Sequence, residues 1–443
     1  MTTPIRKTTA GLFSFIFVMY SYTTAGPFGL EDQVTTSGPG MTLIYHLVLP
    51  FLWCIPISLV SAELTTAMPV QGGFYRWTRA AFGDFWGFLA GFWNWCASFL
   101  LGASYAVLFT DYLGFYFPSI TGWKHYFISV ALIAVITWIN ILGIQMVGRL
   151  ATILEFLILL PVATLCIVSI PKLHHNPFVP LIPPHQPPFR IFGVGLAIGL
   201  WLYSGYEQLS TVAEEVDNPQ RNYPIALAWV VPLSIATYFL PTFCSLAALG
   251  NWQDWHTRYF VDAAQLIGGH WLALAMLFAA IITNVSILNS TILASTRMPF
   301  AMAEDGYMSS LLTRVHPRFG TPWIAIIVSA AIYCLLAFHS LTQLLSIYIW
   351  LRIPTSLLTV LSGYQLRRTR PDMPRAFRIP WGHRGLFYAV LAPVLMSGVA
   401  LLGSDKFGLR WGPVTLALGP LAYLLFRRKK TGARSFASSA KGR

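Results

Sequence analysis

Charge is what this 443-residue chain has least of. Asp, Glu, Lys and Arg together make up 10% of it, against about 25% in a soluble globular domain. A surface that poor in charge excludes a soluble enzyme and a disordered chain, and it excludes a nucleic-acid binder despite the net charge of +13. Cysteine is also scarce. The five cysteines, Cys54, Cys96, Cys166, Cys244 and Cys334, all sit in apolar runs without metal-ligand spacing. They read as small hydrophobes, not as a disulfide framework or a metal site. The alternating pattern of a membrane β-barrel is absent, and no cofactor motif is found. A cleavable signal peptide is not expected either, because Gly26-Pro27 interrupts the first apolar run where a cleavage site would not.

Apolar length is what the chain has in abundance. Hydrophobic residues make up 56% of it and aromatics 15%. A bilayer-crossing helix takes about 20 apolar residues, and runs of that kind recur along the whole sequence. The expected class is all-α integral membrane, because helices satisfy their backbone hydrogen bonds internally, as hydrocarbon demands. Twelve transmembrane helices are predicted, at roughly 9–36, 41–67, 82–116, 124–144, 147–170, 190–216, 223–250, 269–302, 322–340, 343–368, 385–403 and 410–427.

The cations set an orientation. With the N-terminus placed inside, nearly all Lys and Arg fall in cytoplasmic loops and the tail. Only Lys124, Lys172, Arg190, Arg258, Lys406 and Arg410 face outside, and Arg352 alone lies within a helix. Such a bias predicts a plasma (inner) membrane protein with both termini cytoplasmic. The basic tail 428–443, with Arg427 before it, suits contact with anionic lipids through Arg427-Arg428-Lys429-Lys430. The proline-rich stretch 171–189, with His174, His175 and His185, reads as an extended external loop. The 251–267 stretch, with Trp252, Trp255, Tyr259 and Phe260, reads as an amphipathic segment over the external face.

Two helices are interrupted at matching places. The first contains Thr24-Ala25-Gly26-Pro27-Phe28-Gly29-Leu30-Glu31-Asp32, and the sixth contains Tyr203-Ser204-Gly205-Tyr206-Glu207-Gln208. Splitting the first ten helices as five plus five puts the breaks in register. The units are then 1–170 and 190–368, with peripheral helices at 385–427. Five is odd, so the second unit is inverted relative to the first. Interrupted helices at corresponding places in two inverted halves point to the central site of a secondary transporter. Unpaired N–H groups of Phe28, Gly29 and Leu30 would favour a carboxylate, and carbonyls near Thr24 and Ala25 an ammonium. The small residues at 26, 29 and 205 would allow close approach of a ligand.

These residues resemble the amino acid–polyamine–organocation transporter superfamily over residues 8 to about 427, closest to its polyamine/amino-acid permease branch. Gly26-Pro27-Phe28-Gly29-Leu30-Glu31-Asp32 looks like the first-helix signature of that branch. Ala62-Glu63-Leu64, Pro69 and Gly72-Gly73-Phe74-Tyr75 are similar to the end of helix two and the loop after it. Glu214-Glu215-Val216-Asp217-Asn218-Pro219-Gln220-Arg221 resembles the exit of helix six. Arg297-Met298-Pro299-Phe300-Ala301-Met302-Ala303-Glu304-Asp305-Gly306 resembles the pattern after helix eight. Arg370-Pro371 with Arg375-Ala376-Phe377-Arg378-Ile379-Pro380 resembles the loop after helix ten. The resemblance implies an inverted 5+5 core with broken helices 1 and 6, alternating access, and amino acids or related amines as substrates. It departs in helix three, where the polyamine members carry a carboxylate and this chain has the apolar Phe99-Leu100-Leu101-Gly102-Ala103.

Ionisable groups within the bilayer are functional hypotheses by default. Glu207 is similar in position to a glutamate of basic amino-acid exchangers, and it is the candidate for substrate ammonium contact or proton coupling. Glu155 stands where relatives carry a lysine in a Thr-x-x-Lys arrangement. Burial there would suit a proton carrier, and the structural alternative is a pair with Arg352. Glu31 and Asp32 either draw cations into a vestibule or satisfy amides of the outer half-helix. Glu63, Glu214, Glu215 and Asp217 read as gate or scaffold ion pairs. Trp201 and Tyr206 are candidate gates among the aromatics near the breaks, which include Tyr203, Phe28, Trp93 and Trp95. Asn289-Ser290-Thr291 could hold sodium. The expected substrate site comprises Gly26, Pro27, Phe28, Gly29, Glu31, Trp201, Ser204, Gly205, Tyr206 and Glu207. The expected function is proton-coupled symport of an amino acid or amine, with an exchanger and a non-transporting receptor as the alternatives.

Overall fold

The computed structural model describes residues 11–24, 26–70, 72–143, 145–184, 192–208, 210 and 217–426, with only the backbone described for 14 and 145–154. Every regular element among them is helical. The first part of the chain forms α1 (Leu12–Thr23), α2 (Glu31–Ser37), α3 (Pro39–Ala67), α4 (Gly73–Phe82), α5 (Asp84–Leu113), α6 (Trp123–Leu142) and α7 (Gln145–Ser169). It continues with α8 (Val194–Leu202), α9 (Pro219–Leu249), α10 (Tyr259–Gly268), α11 (His270–Glu304) and α12 (Trp323–Leu336). The last are α13 (Leu341–Thr369), α14 (Gly382–Leu402) and α15 (Lys406–Phe426). Among the described residues, nine helices are long and apolar enough to cross a bilayer. The protein is therefore a multi-pass membrane protein.

The centre of the bundle is α5, against which α11 and α13 make the most extensive packing. The short helices α1 and α8 lie on this core, α1 against α7, α9 and α11, and α8 against α2, α3 and α13. One helix is not evident from the sequence. Gly73–Phe82, expected as loop, is a helix entered from the left-handed Gly72 and closed by Gly83. It is amphipathic, with Phe74, Tyr75 and Trp77 buried, and too short and too charged to register as a span.

α3 is not a uniform α-helix. Residues Pro50–Cys54 form a π-helical turn in which the Ile55 N–H reaches back to Pro50 O. Proline is the cause. Pro50 offers no N–H to the carbonyl of His46, four residues earlier, and the Tyr203 hydroxyl donates to that carbonyl at 3.1 Å. Pro56 likewise leaves Phe51 O without a donor in the widened turn, and Tyr388 of α14 donates to it. Borrowed side-chain donors thus keep a proline-interrupted helix satisfied in apolar surroundings.

Both ends of the bundle are tied. At one end the buried Glu63 accepts from Arg367 Nε at 2.7 Å and from Arg367 Nη2, and Arg375 Nε lies 3.2 Å away. The Ile379 amide donates to it at 2.9 Å. Beside it, Asp305 accepts from Tyr75 at 2.6 Å and pairs with Arg76 and Arg79 at 3.2 and 2.8 Å. The reading of Glu63 as an ion-pair centre matches this. Glu214 and Glu215 lie outside the described residues, and the Asp217 carbonyl accepts from Asn222 at 2.6 Å. Glu63→Gln would leave two guanidinium groups without their shared carboxylate. The expected cost is about 3 kcal/mol, read as a lower unfolding midpoint in detergent; an unchanged midpoint would show that the cluster carries no load.

At the other end, Thr257 donates to Asp32 at 2.8 Å and the 252–268 segment covers α2. Its helix α10 buries Phe260 with the ring 6.5 Å from that of Phe28. Burial raises the Asp262 carboxyl above its ordinary range, against the opposing pull of His256 and Arg258. The stretch 171–184 folds over α3 and α9. Gly40 and Met41 donate to Pro180 O and Leu181 O, and His174 and His175 donate to Ala247 O.

Candidate functional site

The two interruptions predicted from sequence are real breaks. α1 ends as Thr24 N–H bonds to Tyr20 O at 2.8 Å. Gly26 and Gly29 then take φ of 131° and 95°, which L side chains rarely adopt. Gly29 also has no room for a Cβ, which would stand 2.9 Å from the Trp201 ring and 3.0 Å from Leu108. α8 ends at Leu202, Gly205 adopts φ 109°, and the chain turns through Gln208 N–H to Gly205 O at 2.9 Å. One side chain joins the breaks. The Tyr238 hydroxyl stands 3.1 Å from Leu202 O and 3.4 Å from Thr23 O.

Between the breaks, α5, α11 and α13 enclose a cavity. Its wall includes Phe28, Trp201, Tyr105, Ser98, Gln208 and Arg352. The space open to the centres of water molecules is about 30 Å³, enough for two waters, each needing about 10–15 Å³. Trp201, Tyr105, Phe28 and Asn94 are each at most 8% exposed, so the cavity lies deep among buried side chains. A larger ligand requires Trp201 or Phe28 to move.

A polar cluster forms another part of the wall. Arg352 of α13, 1% exposed, donates from Nη2 to Glu207 at 2.5 Å and from Nη1 to Asn94 Oδ1 at 3.1 Å. Ser356 donates to the same Glu207 oxygen at 3.1 Å. Asn94 and Gln208 face each other amide to amide, with Asn94 Nδ2 donating at 3.2 Å and Gln208 Nε2 donating in return. Arg352 Nε has no hydrogen-bond partner among the described residues.

Of the sequence-predicted residues, Phe28, Trp201, Ser204 and Gly205 line the cavity. Gly26, Pro27 and Gly29 shape the first break behind them. Three residues are placed differently from expectation. Glu31 does not face the cavity: it accepts from the Gly29 amide at 2.7 Å and from Tyr112, so it holds the break in shape and takes up one of the amides expected to meet a substrate. Glu207 stands behind Arg352 rather than at the surface. Tyr206 is buried with its hydroxyl unpartnered among the described residues, and its carbonyl accepts from Tyr223 at 2.8 Å; it does not line the cavity.

Glu155 is fully buried, with both oxygens lacking a partner among the described residues. It faces Ser21, whose hydroxyl shares a 2.6 Å hydrogen bond with Ser286. The alternative pairing of Glu155 with Arg352 is overturned, because Arg352 belongs to Glu207. Trp93 and Trp95 point away from the breaks, donating to Leu416 O and Ser329 at 3.0 Å each. Tyr203 is committed to His46 O. Asn289 accepts from Asn140 at 2.6 Å, and Thr291 reaches the cavity. No cluster of three or more His, Cys, Asp or Glu able to hold a metal occurs among the described residues. Sequence reading missed Asn94, Tyr105, Tyr238 and Tyr348 in the wall; each is an ordinary residue of a long apolar helix.

A family profile described as amino acid permease matches residues 7–407. A polyamine transporter of Oryza sativa subsp. japonica is 32% identical over 403 residues, 90% of this chain and 74% of that protein. A polyamine transporter of Arabidopsis thaliana is 28% identical over 403 residues, 90% and 80% of the two chains. A branched-chain amino acid permease of Bacillus subtilis (strain 168) is 26% identical over 427 residues, 89% and 87%.

Proposed function

The chain belongs to the amino acid permease family, and we propose that it is a secondary transporter of amino acids or related amines working by alternating access. The observation that carries this reading is a buried cavity held between two broken helices. Twelve spans complete the scheme. The two broken ones are α1 with α2, and the one that contains α8; Trp323–Leu336 is a shorter apolar helix. The first ten form two inverted units of five. The bias of the loop cations favours a cytoplasmic side holding the Glu63 end and both termini, with α10 outside. The membrane is the plasma (inner) membrane.

The breaks supply complementary polarity. In this reading the amide end of the first break, at Phe28 in the cavity wall, favours a carboxylate. The carbonyl end of α1, at Thr23 and Thr24, favours an ammonium. Trp201 and Phe28 close over the ligand on the α10 side, and the Tyr238 link holds the two breaks at a fixed spacing.

Glu155 is the proton carrier in this scheme. A buried carboxyl without a cationic partner is tolerated far better neutral than charged. It sits against α1, a helix whose movement changes its access to water. Uptake into proteoliposomes under an imposed inward proton gradient tests this. Wild-type protein should accumulate labelled leucine, serine or another amino acid into empty vesicles. Glu155→Gln should lose the accumulation and its pH dependence while retaining exchange into preloaded vesicles. Gradient-driven accumulation by Glu155→Gln equal to wild type overturns the assignment. Uptake by wild type only into preloaded vesicles makes the protein an exchanger.

A further inference from the structure

Among the described residues, the wall of the central cavity contains a full positive charge and no free negative one. Arg352 lines it, while Glu207, the carboxylate of the second break, is screened behind the guanidinium at 2.5 Å and held also by Ser356. Among the described residues no Asp or Glu lines the cavity, and Glu31 is committed to the Gly29 amide and Tyr112. A di- or polyamine carries two or more ammonium groups, each needing a carboxylate or several acceptors on leaving water. The one carboxylate that could serve is already occupied by a cation that belongs to the protein.

The guanidinium itself is incompletely used. Its Nη2 goes to Glu207 and its Nη1 to Asn94, but Nε is buried without a partner among the described residues. An arginine presents donors along two edges, and the edge holding Nε and one Nη matches a carboxylate or amide oxygen. A buried donor left unmade is costly, so an acceptor arriving on that edge would satisfy Nε. With Glu207 ionised the Arg352–Glu207 pair is neutral, and a net-neutral ligand keeps the cavity neutral.

Resting on the reading of this cavity as the transport site, we propose that Arg352 is its specificity-determining residue: a tethered cation that fills the ammonium position at Glu207, so that the site accepts zwitterionic amino acids, with an acceptor oxygen against the Nε edge, and rejects di- and polyamines. The consequence is a substrate class unlike that in the names of the plant relatives. Arginine and lysine, which bring a second cation, are poor ligands on the same ground.

The test is competition in proteoliposomes, using the full chain. Labelled leucine and serine uptake is measured with putrescine, spermidine or lysine in large excess, and labelled putrescine uptake is measured directly. Wild type should take up the neutral amino acids, be blind to putrescine and spermidine, and discriminate against lysine. Arg352→Gln frees Glu207 and should admit putrescine at least about tenfold better than wild type, with weaker leucine uptake. Arg352→Lys keeps a cation at Glu207 and should remain blind to polyamines. The proposal is overturned if putrescine or spermidine competes in wild type as well as unlabelled leucine does. It is equally overturned if Arg352→Gln, monodisperse and still transporting, stays blind to polyamines. Should that variant fail to fold, the wild-type competition alone decides. Uptake of neither class by wild type overturns the transport reading itself, and the inference with it.

Discussion

Glu207→Ala should be the most damaging single substitution in the protein, lowering stability by about 3–5 kcal/mol. The reason is the charge it leaves behind. Arg352 is 1% exposed, and its remaining partner would be the neutral Asn94 oxygen at 3.1 Å. A buried charge stripped of its counter-ion is far worse than a missing pair. The double variant Glu207→Ala with Arg352→Met, which removes both charges and keeps much of the volume of the longer side chain, should therefore regain most of the loss. Thermal unfolding in detergent reads both. Equal midpoints for the single and double variants would show that the pair contributes nothing beyond its separate members.

Gly29→Ala should abolish transport while leaving a protein that still inserts. Two independent penalties meet at this position. A φ of 95° costs an L residue about 1–2 kcal/mol, and a Cβ 2.9 Å from the Trp201 ring and 3.0 Å from Leu108 overpacks the site by about 1–3 kcal/mol. Trp201 is the side chain best able to yield, and it forms the cavity wall. The strain is thus transferred to the substrate site, not spread through the bundle. Uptake should fall by at least about tenfold while gel-filtration behaviour persists. Wild-type uptake by Gly29→Ala would mean that Trp201 moves freely and that the close approach has no functional meaning. Gly205 provides the contrast. A Cβ there would meet nothing nearer than 3.4 Å, so only its backbone angle resists substitution.

Both breaks are legible in the sequence because glycine and proline in the middle of an apolar run disfavour an unbroken helix. Gly26-Pro27 and Ser204-Gly205 locate them to the residue. The motif around Glu63 is legible for a similar reason, since a carboxylate at a helix end among arginines has partners within reach. What stays hidden is depth and azimuth. Arg352 stands out as a cation inside a helix, yet the sequence suggests Glu155 as its partner, and the pair that forms, with Glu207, spans 145 positions. Nothing in local pattern says which two helices bring those side chains to one height. Glu31 reads from sequence equally well as a vestibule group and as an amide acceptor; only the 2.7 Å contact with Gly29 separates them. The aromatic wall is hidden by abundance, because Tyr22, Tyr105 and Tyr348 look like any of the 19 tyrosines.

The π-helical turn at Pro50–Cys54 changes the phase of α3. An α-helix advances about 100° per residue, so one additional residue in a wide turn rotates everything beyond it by roughly that angle relative to an uninterrupted helix. Before the turn, His46 faces Tyr203 and Tyr238, beside the second break. Beyond it, Val60 fits against Gly363 and Glu63 against Arg367 of α13. A single rod could not show both surfaces to both neighbours at these heights. The wide turn works as an inserted spacer, and removing one residue from it would swing the Glu63 clasp away from α13 while leaving each half of the helix intact.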